Sequence, residues 1–347
     1  PMNILFDINH PAHVHMFRYV IQRLKSKGHN VFVTTKDIPA ANQLMDIYGI
    51  KYTILGSKHD SLFRKKLDQI EFDIRLWRFV IKHHIQIGIH GMTVAHVSKF
   101  SRMKSIITDD DDDEVEPLFA KFAHPFADVV LSPIGTSRKT KNVQFVPSYH
   151  ELAYLHPNLF EPNYEVLNEI GVEKGERFFV LRFNAFKAHH DVGVVGMNLE
   201  NKRRLVNTLI QYGKVFITTE RDIDKEFEPY KLKISPEKVH SLLYFATMFV
   251  GDSQTMTSEA AVLGTPAIRC NTFVGKIHYL EDEEHNYGLT YGFQPNNIEQ
   301  MFSKIDELLS MPNLKEEWQK RRMKLLDDKI DYAEFLTNFI ENYPTKK

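Results

Sequence analysis

Short apolar runs alternate with helix-length amphipathic stretches along almost the whole chain, and that punctuation admits few architectures besides parallel βαβ units. Met2 to Ile8 reads as a strand, Pro11 to Lys27 as a helix and Asn30 to Thr35 as the next strand. Val14, Phe17, Ile21 and Leu24 share one face of that helix, and Gly28 stands where a left-handed C-cap belongs. Further strands are expected at Tyr52 to Leu55, Ile85 to Ile89, Ser105 to Thr108 and Asp128 to Leu131, which makes the first half a parallel sheet. From Ser148 to Asn163 the pattern lapses into a passage rich in Pro, Tyr and His, flanked and interrupted by Pro147, Pro157 and Pro162, which suits a linker. A second series follows, with strands at Phe178 to Arg182, Lys214 to Thr219, Thr247 to Gly251 and Pro266 to Arg269. Its helices are expected at Asn201 to Tyr212, Glu237 to Ala246 and Thr255 to Leu263. Two doubly wound halves result. Asn297 to Tyr343 holds three helical patterns and no strand, leaving at least one helix free to pack back across the first domain. The expected domains are 2–155, 164–326 and a C-terminal helix, 327–347, on the first domain.

Composition narrows the function. The 347 residues exceed one ordinary domain, and 43% hydrophobic content supplies ample core. Lys and Arg total 44 against 45 for Asp and Glu, so no basic field points to nucleic acid. A single cysteine, Cys270, excludes an internal disulfide framework and a cysteine-based zinc cluster, which fits a reducing, cytoplasmic setting. The first strand begins without a basic and apolar leader, and no window reaches the roughly 18 apolar residues of a membrane span. Pro1 precedes a Met2 that reads as the native start.

The window with the most chemistry runs from Gly251 to Pro266. A buried strand ends in a small polar turn, Asp252-Ser253-Gln254-Thr255-Met256, and a helix begins. The first backbone N–H groups of such a helix are unpaired and its dipole is positive there, so a phosphate fits. Ser253 and Thr255 add hydroxyl donors. Glu259, one turn inside, is placed to accept hydrogen bonds from ribose hydroxyls, while Ala260 and Ala261 allow tight packing on the sheet. An N-cap followed by a core helix is the plainer alternative.

The same window resembles the phosphate-binding turn of UDP-N-acetylglucosamine epimerases and GT-B glycosyltransferases. It reproduces Asp252-Ser253, Glu259-Ala260 and Gly264-Thr265-Pro266 in order, with Gln254 where those relatives usually carry glycine. The stretch Phe6-Asp7-Ile8-Asn9-His10-Pro11-Ala12-His13-Val14-His15 is similar to the signature of an uncharacterised GT-B-like family, a domain of unknown function found mainly in bacterial and archaeal genomes. That resemblance covers nearly the whole chain, including Glu151 to Pro157, Arg182-Phe183-Asn184-Ala185, and His189, His190 and Asp191. It implies a GT-B fold, two Rossmann-like domains facing across a cleft, and brings no established substrate.

Other polar groups gather at strand ends, where open α/β sheets bind ligands. His10 and His13 follow the first strand, Pro11 fixes the turn, and either histidine suits a general base towards a sugar hydroxyl. Capping or structural roles are the alternative, preferred for His15. Zinc is not expected there, because the three histidines lack the i, i+4 pairing of a metal site. His90-Gly91-Met92-Thr93 forms a further turn, with Met92 where the epimerases carry an acidic residue. The run Thr108 to Glu114 reads as a solvated acidic loop whose Asp109 and Asp110 have a chance of orienting an acceptor, acting as base or holding Mg²⁺. In the second half, Arg182, Asn184, Lys187, Thr219 and Glu220 lie on the same rim as Ser253, and Arg182 or Lys187 suits a diphosphate leaving group. Arg221 is expected to be solvated. Phe63 to His84, with Arg64, Lys65, Lys66, Trp77 and Arg78, reads as a helix with an apolar core face, or else a surface for a lipid-linked acceptor.

The expectation is a nucleotide-sugar-dependent glycosyltransferase, with a carbohydrate or lipid-linked acceptor, no tightly bound cofactor, no metal and no nucleic acid. A location peripheral to the inner membrane face is the variant on cytoplasmic placement. An epimerase or hydrolase is the runner-up, and a GT-B-fold binding protein without catalysis is the alternative from another class.

Overall fold

The computed structural model describes residues 1–56, 62–184, 196–219 and 221–346. The chain divides into two compact units, Pro1–Tyr154 with Lys329–Lys347, and Leu155–Asp328.

The first unit runs β1 (Asn3–Asp7), α1 (Pro11–Ser26), β2 (Asn30–Thr35), α2 (Pro39–Ile47), β3 (Thr53–Ile54), α3 (Leu62–Lys82), β4 (Ile87–Ile89), α4 (Met92–Ser98), β5 (Lys104–Thr108), α5 (Pro117–Phe122), β6 (Val129–Pro133) and β7 (Val143–Val146). Among the described residues these strands form one parallel sheet in the order β3-β2-β1-β4-β5-β6-β7. Both faces of the central strands are covered. Ile4, Leu5 and Phe6 are therefore fully buried, and so is the α1 face carrying Val14, Phe17 and Leu24, with the Phe6 and Phe17 rings 5.3 Å apart.

The second unit runs α6 (Glu165–Ile170), β8 (Phe178–Arg182), α7 (Leu199–Leu209), β9 (Lys214–Ile217), α8 (Val239–Phe245), β10 (Met248–Gly251), α9 (Gln254–Leu263), β11 (Ala267–Cys270), α10 (His278–His285), β12 (Thr290–Phe293), α11 (Ile298–Leu309) and α12 (Leu314–Asp328). Its sheet, again parallel, has the order β12-β11-β10-β8-β9. The chain then returns to the first unit through α13 (Tyr332–Asn342). Ile330 N–H donates to the Pro147 carbonyl at 3.0 Å, Asp331 caps α13 by accepting from Glu334 N–H, and Glu341 pairs with Lys27 and His29. Among the described residues, no helix is long and apolar enough to cross a membrane.

Two edge strands were not legible in the sequence. β7 is exposed along most of its length, and β12 carries Gly292 within four residues, so neither shows the apolar run that marks a buried strand. The region from 148 to 163 contains no strand or α-helix, only a short 3-10 turn at His150–Ala153.

Gly251 closes β10 where its backbone meets β8. A Cβ there would lie 2.3 Å from the Arg182 carbonyl oxygen and 2.8 Å from the Phe249 ring. Gly251→Ala is expected to cost roughly 1–3 kcal/mol by overpacking, read as a lower denaturant midpoint. An unchanged midpoint would mean that β8 and β10 part without penalty.

Candidate functional site

The carboxyl edge of the first sheet gathers groups from several loops. β1 delivers Asp7, which accepts from Thr34 Oγ1 and Asn9 Nδ2, both at 2.9 Å. His10 then occupies the N-cap of α1, its Nδ1 accepting from Ala12 N–H at 3.1 Å. The His13 ring packs 3.8 Å from that of His90, which follows β4 with a backbone φ of +90°, a left-handed conformation rare for a residue with a side chain. His15 lies 3.3 Å from the Tyr48 hydroxyl and stacks on Tyr154, a packing role. Burial holds His90 down at about 3 and His150 at about 4, so both rings are neutral near pH 7.

The acidic run after β5 corrects the expectation of a solvated loop. Asp109, Asp112 and Asp113 are buried around the Arg138 guanidinium, itself fully buried. Arg138 donates to the Asp109 carbonyl at 2.7 Å, to the Asp111 carbonyl, to Asp113 Oδ1 at 3.0 Å and to Ser132 Oγ at 2.8 Å. Asp109 Oδ2 also meets His124 Nε2 at 2.7 Å, while Asp112 and Asp113 accept the N–H groups of Ser137 and Lys139. The run stays folded because an opposite charge and backbone donors reach in from the loop after β6.

This leaves Asp110 in a different position from Asp109. Its Oδ2 lies 3.3 Å from His150 Nδ1, and burial together with the Asp109 charge raises its pKa to about 7. Asp111 is pushed to about 8 by burial and by Asp110. His150 packs edge-on against Tyr332, whose ring is 1% exposed and whose hydroxyl has no hydrogen-bond partner among the described residues. One oxygen from each of Asp109, Asp110 and Asp111 falls within 4.8 Å of the others, the spacing a divalent cation bridges, as do ligand atoms of Glu281, Glu284 and His285.

In the second unit, β10 ends in the polar turn and α9 begins. Ser253 is the N-cap, its Oγ accepting from Met256 N–H at 3.2 Å, and Gly264 is the left-handed C-cap. Gln254, Thr255 and Met256 form the first turn of the helix. Asp252 accepts the Asn184 N–H through both oxygens, at 3.0 and 3.2 Å, and so ties the end of β8 to the turn. Glu259 is buried, with Oε2 2.5 Å from His240 Nε2. Arg182 donates to the Thr218 carbonyl, and Thr219 Oγ1 accepts from Arg221 N–H at 3.2 Å. Arg221 is exposed as expected, with one donor on the Asn184 carbonyl. Lys187, Glu220, Ala185, His189, His190 and Asp191 lie outside the described residues.

Sequence reasoning did not reach His124, Arg138, His150 and Tyr332 in the first unit, nor His240 in the second. Each stands 15 or more residues from its partner, at the end of an element or in a loop, so no spacing rule marks it.

Arg138→Leu removes the charge that holds Asp109 and Asp113, and a loss of about 3–5 kcal/mol in unfolding free energy is expected. The titrating pair makes a second prediction. Asp110 and Asp111 have raised pKa values, so their stabilising contribution is complete below the ordinary carboxyl pKa of about 4 and is lost progressively as pH rises from there to about 7 to 8. The depressed histidines act oppositely, destabilising as pH falls below about 6.5. The opposing slopes offset one another below about 6.5, so melting temperature is expected to decline between about 6.5 and 8 and to level off above, and Asp110→Asn to reduce that decline. An equally steep decline in the variant would exclude Asp110 as its source.

A relative from Methanocaldococcus jannaschii, described as uncharacterized, is 21% identical over 326 residues, covering 89% of this chain and 92% of its own. Among solved structures, UDP-GlcNAc 2-epimerase from Neisseria meningitidis bound to UDP-GlcNAc superposes with a TM-score of 0.68 at 11% identity, covering 99% of this chain and 100% of that one. The spinosyn rhamnosyltransferase SpnG complexed with thymidine diphosphate gives 0.63 at 11% identity, again over 99% and 100%. At such identities the likeness establishes the fold, which is the expected α/β GT-B type. The family described as protein of unknown function (DUF354) matches residues 2–332, and the chain belongs to it.

Proposed function

We propose that this protein is a nucleotide-sugar-dependent glycosyltransferase, with the donor diphosphate on the N-terminus of α9 and the acceptor hydroxyl at the polar cluster of the first unit. The observation that carries the donor half is the Ser253-capped start of α9 at the carboxyl edge of a parallel sheet. The cap uses one first-turn donor and leaves the earlier N–H groups directed past the helix end, where the dipole favours an anion. Thr255 and Gln254 flank that position, and Arg182, at the end of β8, brings positive charge for a leaving diphosphate. Asn184, Thr219 and Asp252 shape the rim, and Glu259 takes the ribose. The resemblance to solved structures bound to UDP-GlcNAc and complexed with thymidine diphosphate supports this reading.

On the acceptor side, Asp110 is the general base and His10 and His13 orient the acceptor. Asp109 is committed to His124 and Arg138 and acts through position. The acceptor oxygen attacks the anomeric carbon, the bond from that carbon to the diphosphate breaks, and the acceptor proton passes to Asp110. A carboxyl titrating at about 7 is matched to that task near neutral pH. No metal is required by this scheme, because the helix end and Arg182 carry the leaving charge.

Thermal unfolding against UDP, GDP, dTDP and CMP sugars tests the donor half. At about 100 times its Kd one donor stabilises by roughly 2.7 kcal/mol, and the variant with Ser253→Ala and Glu259→Ala is expected to lose that shift. Failure of every nucleotide to stabilise the wild type removes the donor reading. Once an acceptor is in hand, Asp110→Asn is expected to slow transfer on the order of 100-fold or more with donor binding intact. Release of an epimer or free sugar without acceptor would favour the epimerase or hydrolase instead.

A further inference from the structure

We propose that the outward face of α3 is the seam of a two-fold homodimer, in which α3 packs antiparallel against α3 of a second copy. The helix has two apolar faces. Phe72, Leu76 and Val80 are buried, and Leu76 and Val80 pack with Leu5, Val94 and Met103, which is the expected core face. A second row, Phe63, Leu67, Ile70, Ile74, Trp77 and Ile81, is exposed, from 41% at Leu67 and Trp77 to 73% at Phe63. Its intervals alternate four and three, so Phe63, Ile70 and Trp77 form one heptad position and Leu67, Ile74 and Ile81 the other. A strict two-row stripe of this kind is a helix-pairing seam, narrower than the face a helix buries on a domain core.

The stripe continues onto neighbouring elements. Trp77 Nε1 donates to the Phe100 carbonyl at 2.9 Å, and His96 joins Asp73 of α3 to the Phe122 carbonyl while packing edge-on against Phe126. Phe100, Phe122 and Phe126, 78%, 44% and 39% exposed, therefore flank the same surface. Together these side chains offer on the order of 1,000 Å² of surface, above the ~800 Å² per partner that a standard protein interface buries. Isolated exposed apolar residues need no explanation, whereas a contiguous patch of this size does.

Self-complementarity favours a second copy. With a two-fold axis beside Phe72, Phe63 faces Ile81, Leu67 faces Trp77 and Ile70 faces Ile74, so every layer of the stripe meets an apolar partner. An anionic lipid surface fits less well, because Glu71 and Asp73 lie along the middle of the stripe, paired with Arg75 and His96. The antiparallel arrangement sets Arg64 near Arg78, and Glu71 and Asp73 near their own copies, on the rim of the seam, where salt screens these repulsions. Dimerisation consequently tightens with ionic strength, the opposite of binding to anionic lipid.

Sedimentation velocity and light scattering on the full chain decide the matter. The wild type is expected to be a dimer at micromolar concentration, held more tightly at high salt. The variant Ile70→Glu with Ile74→Glu is expected to be a monomer with unchanged far-ultraviolet circular dichroism, its Kd weakened on the order of 100-fold or more by four desolvated carboxylates. The variant Ile70→Cys with Ile74→Cys is expected to form a covalent dimer on mild oxidation, while the native Cys270 is buried. A monomeric wild type, a dimer indifferent to the glutamates, or a monomer that co-sediments with phosphatidylglycerol vesicles and leaves them as salt rises would each overturn the proposal.

Discussion

The guanidinium of Arg138 is the interaction on which the first unit's polar edge depends. Six acidic residues in succession after a buried strand would repel one another into solvent, and a fully buried cation pairs with two of them, Asp109 and Asp113, instead. His124 and the backbone donors of Ser137 and Lys139 complete the network, so the carboxylates are bonded as well as neutralised. The consequence reaches past stability. With Asp109 engaged, Asp110 is left beside a carboxylate in a water-poor setting, which is what raises its proton affinity towards neutrality.

Chemistry in this chain is concentrated at the carboxyl edges of two parallel sheets. In each, strands that are buried on both faces end abruptly, and the turns that follow expose small and polar side chains. The first edge supplies neutral histidines and a titratable carboxyl, and the second supplies a capped helix end. α3 belongs to neither edge. Its outward stripe is a separate apolar surface, which is why it calls for a partner and not a ligand.

Much of the fold was legible because parallel strands and amphipathic helices carry strong periodic signals. The α1 face, the left-handed Gly28 after it, the Ser253 cap and the core strands all lie where local pattern places them. The edge strands β7 and β12 escaped, since exposure in the first and a glycine within the second remove the hydrophobic run by which a strand is read. The acidic run was misread for a related reason: like charges announce solvation unless a distant cation is known to meet them. His124, Arg138, His150 and Tyr332 come from other loops and helices, and nothing local to any of them announces the meeting.

By itself the sequence determined the α/β class, the two doubly wound halves and the polar turn that starts α9, because each is set by periodicity or by residues adjacent in the chain. Tertiary structure decided which carboxylates are locked and which titrates, that Glu259 meets His240, and that α3 keeps an apolar face uncovered. Those facts depend on burial and on partners brought together from distant positions, and desolvation acts only once the chain has folded around the group.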